Sequence, residues 1–256
     1  MLKHIFKGIQ AYFGAFGLIS KLRLWKFFAI PILISLVTAI TIGFLAYGWS
    51  DNLGHLISKL WVWEWGKDTF AKVGSIIGGL FIVALGLILY KHIVMALSAP
   101  FMSPVSEKIE AYLLNTPTYK HRQTTFGQQL WRGVKINLRN LGMELFWTIP
   151  ILLIGFVPVI GLISSVLLLL LQAYYAGFGN MDYTLERHFN YRDSIVFVKQ
   201  NTGHAIGNGL VFMLGILIPV LGIVLVLPLS VTAATKTTVS ALQADNHYKL
   251  EANAFN

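Results

Sequence analysis

Leu2, Ile5, Phe6, Ile9, Phe13 and Phe16 recur at helical spacing, with Lys3, Lys7 and Gln10 on the opposite face. Such a stripe predicts an amphipathic helix lying in a membrane interface, within a basic start over residues 1–26. Residues 27–48 then run 22 positions without a charge, enough for a first spanning helix. Pro31 lies close enough to its start to be tolerated. A second long helix is expected over residues 69–98, followed by a polar segment, 99–141, read as a cytoplasmic helical insert. Two further apolar blocks, 145–178 and 205–235, are both interrupted.

The interruptions are near copies. The first block carries GFVPVIG from Gly155 to Gly161, and 61 residues later the second carries the same turn as GILIPVLG, ending at Gly222. Pro158 with Gly161, and Pro219 with Gly222, are turn-forming residues placed inside runs that a span would leave unbroken. The arms before the breaks are 13 residues (145–157) and 14 residues (205–218) long. At 1.5 Å per residue each reaches about 20 Å, short of a hydrocarbon core of about 30 Å. Each block therefore reads as a hairpin that enters the membrane and returns. Full spans joined by tight external turns are the alternative, but a turn in water normally contains polar residues and PVIG and PVLG have none.

Trp49, Trp61, Trp63 and Trp65 cluster in the segment before the second long helix, as in an interfacial aromatic belt. Gly74 and Gly78 form a small-residue pair in that helix, suited to close helix packing.

Composition fits this pattern: 55% hydrophobic, 12% charged, mean hydropathy +0.65. A soluble domain carries about twice that charged fraction. The chain reads as one all-α integral membrane domain over residues 1–256, with lipid as its surroundings. It contains no cysteine, which excludes disulfides and thiolate chemistry, and its start does not read as a cleaved signal peptide. The net charge of +9 is unevenly spread: five Lys/Arg and no acid in the first 26 residues, six in 99–141, three in the Trp-rich loop. Positive-inside bias places the N-terminus and the polar segment in the cytoplasm and makes nucleic acid an unneeded explanation. If each hairpin returns to its own side, the C-terminus is cytoplasmic too.

The layout resembles the CysZ sulfate permease family, which includes the etoposide-induced membrane proteins, over roughly residues 8–239. SKLRLWKFFAIPILI is similar to the family's basic segment leading into a Pro-containing apolar helix. APFMSPVSEKIEAYL resembles its Ala-Pro-Phe block with spaced glutamates, here Glu107 and Glu110. VPVIG, MDYTLERH and IPVLG follow in the family's order. The resemblance implies two long transmembrane helices, two partly penetrating hairpins, bacterial inner-membrane residence, cytoplasmic termini, homo-oligomers, and sulfate uptake feeding cysteine synthesis. The family's Gly-Leu-Arg-type sequence reads Lys21-Leu22-Arg23 here. Lys26 stands where the family has arginine, giving a point charge in place of a planar fork.

Lys21, Arg23 and Lys26, at the start of the first span, form a candidate mouth for sulfate or a related oxyanion, helped by free amides at a helix N-terminus. Ordinary positive-inside anchors touching lipid phosphates would look the same. Glu144, His204 and Lys236 at the hairpin bases, and Lys91 and His92 in the second helix, read as snorkelling or interfacial groups. With no carboxylate or histidine expected deep in the membrane, passive, channel-like flux is the simpler route. Asp182, Glu186 and His188 read as solvated charges and a cap in one polar loop. No HExxH, GxSxG or P-loop occurs, and neither an enzyme, a metal site nor a cofactor is expected. The reading from another class is a membrane scaffold or biogenesis factor.

Overall fold

Long apolar runs with no period-two alternation leave backbone groups nowhere to bond in lipid except within helices. The computed structural model describes residues 1–58, 67–115, 124–155, 158–218, 222 and 224–245, and among these every regular element is helical. They are α1 (Leu2–Gln10), α2 (Ala15–Lys21), a 3-10 turn (Leu24–Phe27), α3 (Ala29–Ser58), α4 (Lys67–Leu114), α5 (Phe126–Ile154), α6 (Pro158–Leu185), α7 (Tyr191–Gln200), α8 (Thr202–Ile216) and α9 (Val226–Ala244). Three stretches are long and apolar enough to cross a membrane: Ala29–Gly48, Leu85–Leu114 and Gly161–Leu185. Trp61, Trp63 and Trp65 of the expected belt lie outside the described residues.

The second long helix does not stop near Ser98. It continues through Pro100 and Pro104 to Leu114. Pro100 has no N–H to offer the carbonyl of Ala96 one turn back. Gly133 of α5 lies against that carbonyl, where an added Cβ would sit 2.9 Å from it and 2.5 Å from the Ala99 Cβ. The proline kink and the glycine thus fit one close crossing. The second crossing partner, α5, begins at a capping box: Gln128 N–H donates to Thr125 Oγ1, and Thr125 N–H donates to Gln128 Oε1.

The chain folds back on itself across both interruptions. Pro158 opens α6 at the first helical position, where its missing N–H costs no bond. A Cβ on Gly161 would lie 2.8 Å from the Gly155 carbonyl oxygen, and one on Gly222 would lie 2.9 Å from the Cα and carbonyl oxygen of Ile216. Each tip therefore folds back on the residue six positions earlier, in the same way. Pro219 lies outside the described residues. The arms are unequal, however. The apolar part of α6 is span-length, whereas α8, with 15 residues, reaches only about 22 Å.

Glycines also set the packing of α8. Ala173 and Gly177 of α6 face Gly209 and Ala205 of α8 in an antiparallel small-residue crossing, and on its other side Gly207 lies against Ile5 of α1. The amphipathic α1 is thus fixed to the protein through Gly8, Gly203 and Gly207, leaving Leu2 and Phe6, with Phe13 just beyond its end, exposed on the protein surface. The packing of Gly74 and Gly78 lies outside the described residues. The main core gathers Ile19 of α2, Phe28 just before α3, Met95, Met102 and Ile109 of α4, and Phe212 of α8.

Candidate functional site

The KLRLWK segment is a corner. Arg23 takes a left-handed backbone (φ 53°, ψ 43°) between α2 and the 3-10 turn, and buried Leu24 and Phe28 anchor it to the core. Lys21 donates to the Tyr112 hydroxyl at 2.7 Å. Lys26 and Lys108 flank the same Phe27 ring, 5.4 and 4.6 Å from its centroid. Arg23 is exposed; its backbone N–H donates to the Ser20 carbonyl, and its side chain has no hydrogen bond or ion pair among the described residues. Lys108 of α4 shares the Phe27 ring with Lys26.

Behind this corner lies a buried ionic network that reverses the reading of Asp182, Glu186 and His188 as solvated loop charges. α6 runs almost to Glu186, so its last turns bring these residues into the interior. Arg187 donates to Glu110 Oε2 at 2.6 Å through Nη2, and to Ser106 Oγ and the Ser103 and Tyr183 carbonyls through Nη1. His188 Nε2 lies 2.6 Å from Glu110 Oε1. Arg132 forms a two-pronged contact with Asp182 at 2.8 and 3.0 Å and also donates to Ser194 Oγ and the Phe189 carbonyl. Burial works to lower the Arg132 pKa, but the adjacent Asp182 carboxylate outweighs it and the net shift is upward. Glu186 is pushed up to about 7, mainly by burial, with Asp182 adding to the shift. The buried Ser103 hydroxyl beside it works in the opposite direction.

A second buried cluster overturns the snorkelling assignment. Lys91 and Glu144 are fully buried and paired at 2.6 Å, and His92 Nε2 lies 3.0 Å from the other Glu144 oxygen. Three ionisable groups, Lys91, His92 and Glu144, thus lie inside the helix bundle. The signal in the sequence was adjacent Lys91 and His92 within a long apolar stretch. Their partner sits 52 residues beyond His92, in a different helix. Lys236, also expected at a hairpin base, donates to the Ala11 and Phe13 carbonyls just beyond the end of α1.

Neutral polar groups extend the interior lining. Asn180 donates to Asn208 Oδ1, Asn208 to the Ser230 carbonyl, and the Tyr12 hydroxyl reaches both Ser230 and Asn208. A groove of about 420 Å³ between α3, α4 and the second tip is lined by Ala39, Ile42, Gly86, Leu87, Tyr90 and Gly222 among others. The Tyr90 hydroxyl is engaged by Ser35, so the groove suits alkyl chains and offers little to a dianion. The chemistry on offer elsewhere is donation: exposed cations at a corner, then arginine, lysine, histidine and asparagine N–H groups inside.

The family model described as sulfate transporter CysZ/etoposide-induced protein 2.4 matches residues 11–226. A protein named sulfate transporter CysZ, from Pseudomonas fluorescens strain Pf-5, is 27% identical over 143 residues, covering 54% of this chain and 56% of the relative. The chain spans about half the length of that curated relative.

Proposed function

The chain belongs to the sulfate transporter CysZ/etoposide-induced protein 2.4 family, and on that premise we propose that it is a permease for sulfate or a related oxyanion. Its setting is the bacterial inner membrane, with both termini cytoplasmic, the hairpin tips buried in the bilayer, and homo-oligomeric assembly. The reading is transport, not catalysis. The observation that carries it is the exposed Arg23 side chain at a left-handed backbone corner, without a side-chain partner among the described residues, in the same short segment as Lys21 and Lys26. A dianion needs several N–H donors and positive potential, and this corner offers both.

Import of a dianion against about 100 mV costs about 4.6 kcal/mol. In the channel-like route we favour, consumption of sulfate in cysteine synthesis offsets that cost. Radiolabelled sulfate uptake into liposomes holding the purified protein is the test. The double variant Arg23→Ala/Lys26→Ala lowers the initial rate at least tenfold, and a protonophore leaves the wild-type rate unchanged. A requirement for a proton gradient rejects the channel-like route alone. Absence of flux for sulfate and for other oxyanions favours the scaffold or biogenesis reading.

A further inference from the structure

Lys91 and His92 share one carboxylate in the interior. Lys91 Nζ donates to Glu144 Oε1 at 2.6 Å, and His92 Nε2 faces Glu144 Oε2 at 3.0 Å. The other imidazole nitrogen, Nδ1, faces Asn137 Oδ1 at 3.3 Å. That amide cannot be turned round, because Asn137 Nδ2 donates to the Gly133 carbonyl at 2.9 Å. Glu144 thus holds both Lys91 and His92 through its two oxygens, and the His92 ring is held at both of its nitrogens. Lys91 also approaches the Gln172 carbonyl at 3.4 Å and Met213 Sδ at 3.9 Å, neither of which supplies negative charge. The nearest further charge on α5 is Arg139, which donates to Asn140 Oδ1.

The α5 face bearing Glu144 adds a second, independent observation. Asn137, Asn140, Glu144 and Thr148 recur at three and four residues, so they form one stripe. Asn140 is fully buried, and among the described residues both its Nδ2 and Thr148 Oγ1 lack hydrogen-bond partners. Unmet donors on the helix stripe that carries a carboxylate shared by a lysine and a histidine make a lining suited to a larger acceptor than Glu144 provides. Ionisable groups within membrane spans are costly and mark ion paths.

We propose that Glu144 is an internal substitute for the transported anion. In the empty protein its carboxylate occupies Lys91 and His92. A tetrahedral oxyanion in transit displaces it, binding Lys91, His92 and the free Asn140 amide. This rests on the permease reading.

Radiolabelled sulfate binding and liposome flux are measured on full-length wild type, Glu144→Gln, and the double variant Lys91→Met/Glu144→Met. Glu144→Gln removes the competitor and binds sulfate at least threefold more tightly. The double variant removes both charges, leaves neither partner of the pair stranded, and so keeps the fold. It elutes and melts like wild type but loses at least tenfold in flux. A purely structural ion pair predicts the reverse, with flux in the double variant within twofold of wild type, and that result overturns the proposal. Weaker binding by Glu144→Gln also overturns it, and where that variant does not fold the double variant decides. If wild-type flux falls on Arg23→Ala yet is unchanged in the double variant, this inference alone fails. If folded wild type moves no sulfate, the permease reading fails and takes this inference with it.

Discussion

A Cβ added to Gly209 of α8 would lie 1.7 Å from the carbonyl oxygen of Ala173 in α6. Gly177 stands in the same relation to Ala205, at 1.9 Å. Neither position can take a methyl group without driving the two helix backbones apart. Gly209→Ala is expected to lower stability by about 3 kcal/mol, at the upper end of overpacking costs. Gly142 of α5, with open space around its Cα, is the control. There alanine is neutral or stabilises by up to about 1 kcal/mol. Thermal unfolding followed by intrinsic tryptophan fluorescence checks both.

Arg23 permits a clean separation of charge from fold. Its left-handed backbone, φ 53°, costs an L residue about 1 kcal/mol that glycine does not incur. Arg23→Gly should melt no lower than wild type while losing sulfate flux at least tenfold. Arg23→Lys should retain part of the flux. Parallel loss of melting temperature and flux in Arg23→Gly would instead assign the arginine a structural role.

Glu186 makes stability pH-dependent. Burial raises its carboxyl from 4.5 to about 7 in the folded protein. The folded state therefore binds a proton that the unfolded chain releases near 4.5. The contribution is fully present below about 4.5 and is lost as pH rises through about 7, on the order of 3 kcal/mol in all. Glu186→Gln should flatten the melting temperature across that window and raise it above pH 7 relative to wild type. An unchanged pH profile in the variant would rule the group out.

The hairpin tips can be located chemically because the chain has no native cysteine. Leu162 and Leu217, 78% and 60% exposed on the protein, face lipid if the tips are buried. Single cysteines at these positions should resist membrane-impermeant maleimides added from either side. Rapid labelling from the outside would mean that the hairpins cross completely.

Local pattern was enough for the repeated turns, the basic corner and the amphipathic start. Gly161 packs against Gly155 and Gly222 against Ile216, each six positions back, and proline fits the first helical position of α6 because it has no N–H to lose there. Helix length was less legible. α4 and α5 run through polar stretches that looked like boundaries, since a polar residue ends a helix only when nothing inside the protein satisfies it.

By itself the sequence determined that this chain lives in a membrane, that it is helical, and where two of its helices turn back. Those properties follow from apolar run length and residue-level backbone preference. Only the tertiary structure decided which charges are solvated. Asp182 meets Arg132 across 50 residues, Glu110 meets Arg187 across 77, and Lys91 meets Glu144 across 53. A charge enters the interior only where a partner from another helix offsets the loss of water, and the spacing of residues along one helix does not reveal a partner on another.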